Sequence, residues 1–223
     1  MSRLRKASRV WRDDARAIAA RVMLSQDVPC FSVEPEVIFE RRAPLEIEIG
    51  AGRGDFILDY ASANPERNFL AVELSSVVCQ LLAMRCGRAE LPNLRVARMD
   101  ARTLINLMLP DASVAAFHIY FPDPWPKERH LKHRMVSPTL VRNFTRTLMT
   151  DGVVYAASDV KDWAEEIFAM LKAGGFRRIG KEPPGARATG FARKYLAQGK
   201  PVYSASFAGP VAEGMPSRLE TFK

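Results

Sequence analysis

The sequence predicts an α/β protein with a doubly wound, mostly parallel sheet of seven strands and an antiparallel edge strand. Short apolar runs alternate with segments of helical spacing along most of the chain, which is typical of a parallel sheet covered by helices on both faces. The run SVAAFHIYF at residues 113–121 has the composition of a strand buried on both faces. A length of 223 residues, of which 48% are hydrophobic, suits one sizeable domain.

The elements follow in order along the chain. Strand patterns occupy residues 45–49, 68–74, 93–100, 113–121, 152–158, 176–180 and 202–207. Helical spacing occupies residues 56–63, 76–88, 138–149 and 161–172. The last of these helices is expected to stop at the two glycines, Gly174 and Gly175. We therefore expect a domain over residues 44–208, preceded by a basic arm (1–43) and followed by a C-terminal tail (209–223).

The positive charge is concentrated in two segments. Residues 1–26 hold seven Lys or Arg against two Asp, and residues 127–134 hold four against one Glu. These excesses of +5 and +3 equal the whole net charge of +8. Localised basicity indicates a polyanionic partner, and nucleic acid suits it better than anionic lipid because no strongly apolar helix face accompanies the charge.

The sequence favours a cytoplasmic protein. No apolar run approaches the length of a membrane span, and the N-terminus lacks the apolar centre of a secretory signal. The three cysteines form no CxxC pair, which indicates reduced thiols. Cys79 and Cys86 lie in a helical segment, so we expect both to pack in the core, and His118 should be a core histidine whose ring nitrogens are satisfied.

Glycines and acids stand where the first three strands end, and ligands bind beyond the carboxyl ends of such strands. Gly50, Gly52 and Gly54 allow a tight turn and a close approach to a ligand. Dinucleotide-binding motifs require a third glycine where this chain has Asp55, whereas GxGxG after Glu48 resembles the first motif of S-adenosylmethionine-dependent methyltransferases.

The acids at the next two strand ends suit an adenosine. Glu73 can accept both ribose hydroxyls, and Asp100 can accept the adenine amino group. The alternative for each acid is that it complements the dipole of the helix that follows. That alternative does not explain the spacing of the glycines or the order of the acids.

The fourth strand leads into FPDPWPKERHLKHR, residues 121–134. Its prolines should hold Asp123 in place, and Trp125 offers a flat face for a base. The basic run beyond can grip phosphates, because phosphate contacts position a nucleic acid. His130 and His133 could place two metal ligands on one face, but only Glu128 adds a ligand nearby, so we expect no metal site.

These motifs together resemble a known family. EIGAGRGD, FLAVEL, RMDA, FPDPWPKERHLKHR, AASD and TGFA, in this order, are similar to the bacterial tRNA (guanine-N7-)-methyltransferases over residues 45–207. The resemblance implies a Rossmann-like methyltransferase sheet. It also implies transfer of a methyl group from S-adenosylmethionine to N7 of a guanosine in the tRNA variable loop, leaving S-adenosylhomocysteine.

The resemblance also implies roles for single residues. Cofactor binding falls to Glu48, Gly50, Gly52, Gly54, Glu73 and Asp100. Asp123 becomes the active-site acid. Substrate binding falls to Lys127, Arg129, Lys132, Arg134, Asp159, Thr189 and Phe191. The expected partner is tRNA, and the expected oligomeric state is a monomer or a homodimer.

The chain departs from the family at one motif. The late Thr-x-Phe/Tyr-Glu motif reads Thr189-Gly190-Phe191-Ala192 here, so its glutamate is absent. Two alternatives therefore stand beside the family activity. One is a methyltransferase for an exocyclic base amine, whose Asn/Asp-Pro-Pro-aromatic loop the sequence PDPW loosely resembles. The other is a non-catalytic tRNA-binding paralogue.

Overall fold

The computed structural model describes residues 13–24, 34–125 and 134–210. It confirms the predicted fold class: seven strands form one sheet in the order β3-β2-β1-β4-β5-β7-β6. Neighbouring strands from β3 to β5 are parallel, while β7 runs antiparallel to both β5 and β6. The antiparallel strand therefore lies between β5 and the outermost strand β6.

The strands are β1 Leu45–Ile49, β2 Asn68–Val72, β3 Leu94–Ala97, β4 Val114–Tyr120, β5 Leu148–Ser158, β6 Arg177–Ile179 and β7 Tyr203–Ala208. The helices are α1 Asp13–Ala20, α2 Pro35–Phe39, α3 Ile57–Ala63, α4 Ser76–Ala89, α5 Ala101–Thr103, α6 Pro138–Thr147, α7 Lys161–Ala173 and α8 Gly190–Leu196. A π-helical turn, Leu104–Met108, continues α5.

Strand β5 begins earlier than the sequence predicted. The predicted helix over residues 138–149 ends at Thr147, and the chain becomes extended at Leu148. Leu148 pairs with Val114 at the start of β4. A partner from elsewhere in the chain therefore decides this boundary, and local spacing does not show it.

The two faces of the sheet bury two separate cores, as alternation along each strand requires. Leu70 and Val72 face one core with the apolar sides of α6 and α7, while Phe69 and Ala71 face the other with α3 and α4. Cys79 and Cys86 are fully buried in the second core, as predicted. Burial raises the pKa of the two thiols to about 11 and about 12.

Part of the predicted basic arm packs on the domain. Helix α1 contacts α4 where Gly87 leaves no room for a side chain, because a Cβ there would lie 2.3 Å from the Ile18 carbonyl oxygen. The chain after α1 then pairs with β3: Leu24 N donates to Val96 O, and Val96 N donates to Val22 O, each at 2.9 Å. Residues 13–24 therefore cover the outer edge of β3.

A buried polar network joins β1 to β4. His118 is fully buried, with Nε2 2.8 Å from Glu46 Oε2 and Nδ1 2.9 Å from the Tyr120 hydroxyl. Arg67 also pairs with Glu46, and Gly185 N donates to the Tyr120 hydroxyl at 3.0 Å. Both ring nitrogens of His118 therefore have partners, which confirms the prediction of a satisfied core histidine.

Glu46 makes the stability of the fold depend on pH. Burial raises its pKa, but the hydrogen bond from His118 and the charges of His118 and Arg67 outweigh burial and lower the pKa from 4.5 to about 2. This stabilisation is fully present above about pH 4.5 and is lost as the pH falls towards 2. The shift corresponds to roughly 3 kcal/mol.

We therefore expect Glu46→Gln to unfold more easily than the wild type at neutral pH, by a few kcal/mol. The difference should shrink as the pH falls through the window in which Glu46 takes up its proton. Denaturant unfolding of both proteins at a series of pH values measures it. A difference that stays constant down to low pH would contradict the assignment of the shift to Glu46.

Candidate active site

A cavity of about 360 Å³ opens at the carboxyl ends of the parallel strands. Its lining brings together four predicted site residues, Gly50, Glu73, Asp100 and Asp123. The other lining side chains are mainly apolar: Ile49, Val72, Leu74, Met99, Tyr120, Phe121, Pro122, Trp125 and Met135. A concave apolar site with a few convergent polar groups is typical of a small-ligand pocket.

The glycine-rich loop needs its glycines for two different reasons. Gly50, Gly52 and Gly54 have φ angles of 72°, 56° and 76°, which L side chains rarely adopt. A Cβ on Gly54 would also lie 2.5 Å from Leu82 Cδ1, so this glycine lets α4 pack closely. A Cβ on Gly50 would meet no described atom within 4 Å. The backbone of Gly50 is therefore open to the cavity. A ligand could lie directly against the loop at this position.

Glu73 connects the end of β2 to the glycine-rich loop. Its Oε2 accepts a hydrogen bond from Gly52 N at 3.1 Å, and its Oε1 accepts one from Ser75 N at 2.8 Å. Each carboxylate oxygen can accept a further bond. The neighbouring Leu74 is 64% exposed and lines the same cavity. Glu73 therefore offers hydrogen-bond acceptors for two neighbouring hydroxyl groups of a ligand, and Leu74 offers an apolar surface for a ring beside them.

Asp100 lines the cavity and also caps a helix. It is the N-cap of α5 and accepts from Arg102 N at 2.8 Å, and Arg102 Nη2 donates to its other oxygen at 2.6 Å. The hydrogen bonds from the Arg102 side chain hold the pKa of Asp100 below its usual value. The contacts of Asp100 in the structure are therefore those of a helix cap. A contact between Asp100 and the adenine amino group stays a prediction.

Glu48 lies outside the cavity lining. It is 3% exposed, and its Oε2 has no hydrogen-bond partner among the described residues. Burial, with the nearby charges of Asp55 and Glu73, raises the pKa of Glu48 well above its usual value. Glu48 is therefore buried away from the cavity, and its cofactor-binding role stays a prediction.

The proline-rich loop holds Asp123 at the opposite wall of the cavity. Asp123 is exposed, and on either side Phe121 and Trp125 have φ angles of 54° and 40°, a strained conformation for residues other than glycine. Two loop carbonyls are held from outside, because Trp163 Nε1 donates to Pro122 O at 3.2 Å and Arg134 Nε donates to Pro124 O at 3.0 Å. The loop is therefore fixed by side chains as well as by its prolines.

Arg134 has structural contacts that the sequence did not indicate. Its side chain is 19% exposed, pairs with Glu166 at 2.5 Å and lies over the Trp163 ring, 4.5 Å from the ring centroid. These contacts anchor the proline-rich loop on α7, and its phosphate contact stays a prediction. Lys127, Arg129, Lys132, His130 and His133 lie outside the described residues.

Helix α8 lies beside the site, where it contacts the lining residue Phe121. Thr189 is its N-cap, with Oγ1 accepting from Ala192 N at 3.0 Å. Phe191 packs against Phe121 with ring centroids 4.9 Å apart and stacks on Tyr195 at 4.4 Å. Tyr195 also hydrogen-bonds with Asp159 at the end of β5. The predicted substrate residues Asp159, Thr189 and Phe191 therefore lie around one helix.

The sequence prediction missed α8 and Tyr195. A threonine followed by apolar residues at positions 191, 192, 195 and 196 is a helix-start signal with helical spacing, and it could have predicted both. Ala192 is fully buried at the third position of this helix. A carboxylate at this position would lose its hydration unless it turned to the free N–H groups of the first turn.

Asp55 brings the glycine-rich loop into contact with α8. Its Oδ1 lies 2.6 Å from Arg85 Nη1, and Arg85 also donates to the carbonyl of Arg53. A Cβ on Gly190 would lie only 2.1 Å from Asp55 Oδ2. Gly190 is therefore required for the first residue of α8 to approach this carboxylate.

Comparison with solved structures agrees with the fold. "Structure of an Antibiotic Related Methyltransferase" superposes with a TM-score of 0.58 over 84% of this chain and 95% of that one, at 16% identity. The 16S rRNA methyltransferase KamB gives 0.56 over 86% and 99%, also at 16% identity. A sequence family described as "Putative methyltransferase" matches residues 42–205. The protein is therefore an S-adenosylmethionine-dependent methyltransferase with a Rossmann-like sheet.

Sequence relatives narrow this class. A tRNA (guanine-N(7)-)-methyltransferase of Syntrophotalea carbinolica is 37% identical over 172 residues, which are 74% of either chain. Another, from Paracidovorax citrulli, is 36% identical over 77% of this chain and 70% of its own. The chain belongs to the tRNA (guanine-N(7)-)-methyltransferase family, which confirms the resemblance found in its motifs.

Two features are absent from the described residues. None of their helices is both long and apolar enough to cross a membrane. They also contain no group of three or more His, Cys, Asp or Glu placed to hold a metal ion.

Glu73→Ala is expected to weaken S-adenosylmethionine binding about ten- to a hundredfold, because the change removes a charged acceptor from the cavity wall. Calorimetric titration of the cofactor measures the effect. Glu90→Ala is the matched control, since Glu90 is exposed at the far end of α4. Equal affinity in the Glu73→Ala variant and the control would remove Glu73 from the cofactor site.

Gly190→Ala is expected to lower kcat about tenfold and to change S-adenosylmethionine affinity only a few-fold. The added Cβ clashes with Asp55, which Arg85 holds in place, and so displaces α8 together with the predicted substrate residues Thr189 and Phe191. Adding Asp55→Ala should recover part of the rate by making room. If the double variant is no faster than Gly190→Ala alone, the contact between Asp55 and Gly190 is not what positions α8.

Proposed function

We propose that this protein transfers a methyl group from S-adenosylmethionine to N7 of a guanosine in the tRNA variable loop, forming 7-methylguanosine in the cytoplasm. One observation carries the proposal: a single cavity is lined by Glu73 and the open Gly50 backbone, which follow β2 and β1, and by Asp123, which follows β4. Membership of the family supports the same reaction. We also propose that the protein acts as a monomer or a homodimer.

The described residues fit the cofactor. Glu73 offers acceptors for the ribose hydroxyls, Leu74 offers an apolar wall for the adenine, and Gly50 lets the ligand lie against the backbone. When bound, S-adenosylmethionine supplies an electrophilic methyl group on a positively charged sulfur. The chain itself has to orient the two reactants and keep the methyl group in line with its acceptor.

The acceptor chemistry needs little acid–base help. N7 of guanine carries an in-plane lone pair and no proton at neutral pH, so no strong general base is required. A methylated N7 leaves the purine cationic. A carboxylate fixed beside the base stabilises that developing charge, because a fixed charge needs no reorganisation during the reaction. Asp123, on its anchored loop, is suited to this electrostatic role.

Aromatic side chains on the acceptor side suit a purine. Trp125 and Phe121 line the cavity, and Phe191 packs on Phe121 with 43% of its surface exposed. Base–aromatic stacking is a general means of holding an unstacked base. We propose that the base lies among these rings, with Asp159 and Thr189 at its edge. Lys127 is proposed to contact the same tRNA.

The two alternatives have less support. A loop for exocyclic amines has adjacent prolines, whereas Asp123 separates Pro122 from Pro124 here. The non-catalytic alternative rests on Ala192 alone, while the cofactor side of the cavity keeps its glycines and acids. Nucleoside analysis of tRNA incubated with the protein and S-adenosylmethionine separates all three: the proposed function yields 7-methylguanosine, an exocyclic-amine enzyme yields a nucleoside methylated on that amine, and a non-catalytic binder yields neither.

Asp123→Ala is expected to lower kcat by at least about a hundredfold and to leave S-adenosylmethionine affinity within a few-fold, since Asp123 faces the acceptor. Asp123→Asn keeps the size of the side chain without its charge, so it should be nearly as slow if the charge is what matters. Single-turnover methylation and cofactor titration measure the two effects. Parallel losses of rate and cofactor affinity would move Asp123 to the cofactor side and refute its assigned role.

A further inference from the structure

The chain around α8 carries a local excess of positive charge that the whole-chain balance conceals. Residues 177–200 contain seven Lys or Arg and one Glu. Four of these cations, which we call the α8 surface, lie on α8 or beside it and are all exposed: Arg187, Arg193, Lys194 and Lys200. Acids elsewhere in the chain cancel this excess in the net charge, so counting the two basic segments alone misses it.

We propose that the α8 surface is a binding surface for the tRNA backbone, with its cations contacting phosphates next to the target guanosine. This inference rests on the proposed function. It adds contacts in the described part of the chain to the basic segments 1–26 and 127–134.

The cations of the α8 surface are not committed to acids of the protein. Within the described residues, Arg193 and Lys194 make no side-chain hydrogen bond or ion pair. Arg187 has only a long contact, 3.7 Å from Glu182, in which both side chains are mostly exposed. Lys200 lies over the Tyr195 ring at 4.6 Å, which leaves its ammonium free to meet an anion.

Three other arginines on the loops and helices around the cavity are engaged with carboxylates. Arg85 pairs with Asp55, Arg102 with Asp100, and Arg134 with Glu166, each at 2.5–2.6 Å. A phosphate that approached these three side chains would have to compete with a carboxylate. The α8 surface offers its charge without that competition, and phosphate neutralisation by Lys and Arg is the main source of affinity for nucleic acid.

The position of the α8 surface suits a substrate whose base enters the cavity. Phe191 belongs to α8, is 43% exposed and packs on the cavity residue Phe121. Two cations and an exposed aromatic ring therefore share one short helix beside the site. This is the combination that holds single-stranded nucleic acid: charge for the backbone and an aromatic face for a base. A guanosine turned out of the variable loop would have its flanking phosphates beside α8.

Charge reversal at Arg193 and Lys194 tests the proposal. The variant carrying Arg193→Glu and Lys194→Glu should bind tRNA at least about tenfold more weakly. Its log–log salt slope should fall by about 0.7–0.9 for each phosphate that the variant no longer neutralises. S-adenosylmethionine affinity should not change. The milder pair Arg193→Gln and Lys194→Gln should show a smaller loss in the same direction, and thermal melting confirms that both variants are folded.

The matched control reverses two exposed cations near the amino ends of the parallel strands, whereas the cavity lies at their carboxyl ends. Arg42 precedes β1 and Arg88 lies in the last turn of α4, so Arg42→Glu with Arg88→Glu makes the same change of net charge far from the cavity. The control should keep most of the affinity and the salt slope. If both pairs lose the same amount of tRNA affinity and salt slope, the effect is a non-specific one of net charge, and the proposal for the α8 surface is wrong.

The outcomes separate this inference from the function on which it rests. If the wild type forms 7-methylguanosine in tRNA and the α8 variants match it in affinity, salt slope and KM for tRNA, the α8 surface is wrong and the proposed function stands. If the folded wild type forms no 7-methylguanosine but binds tRNA through α8, the proposed function falls and the surface stands.

Discussion

The pairing of β1 with β4 is the constraint on which the rest of the site depends. The chain winds in one direction from β1 to β3 and in the other from β4 onwards, so the loops after β1 and β4 diverge and leave a crevice between them. The register, with Ile49 opposite Ile119, puts the glycine-rich loop next to the proline-rich loop. The buried contact between Glu46 and His118 joins the same two strands in the interior, far from solvent competition.

Several polar side chains that line the cavity also make hydrogen bonds to other parts of the protein. Glu73 connects two loops, and Asp100 caps α5 while it pairs with Arg102. Such contacts hold each carboxylate in one orientation before a ligand arrives, which lowers the ordering cost of binding. The same acid can therefore be a helix cap and a ligand-facing group, and the two interpretations of the sequence are compatible for these positions.

Helix α8 links two parts of the site. Through Asp55 it touches the glycine-rich loop, and through Phe191 and Tyr195 it touches Phe121 at the end of β4 and Asp159 at the end of β5. The family's late motif thus serves here as the start of a helix, with Thr189 as its cap and the buried Ala192 packed beneath. The missing glutamate removes a charge from this position without removing the helix.

Periodicity and strand-end chemistry are local properties, so the fold class, the succession of strands and the residues that follow each strand could be predicted from the sequence. It also indicated the family, through the order of its motifs. The folded chain shows four features that could not be predicted: β5 starts at Leu148, Arg134 holds a loop, Glu48 is buried outside the cavity lining and Asp55 meets Gly190. These features depend on partners far away in the chain, and a linear pattern carries no information about which distant groups come within a few ångströms.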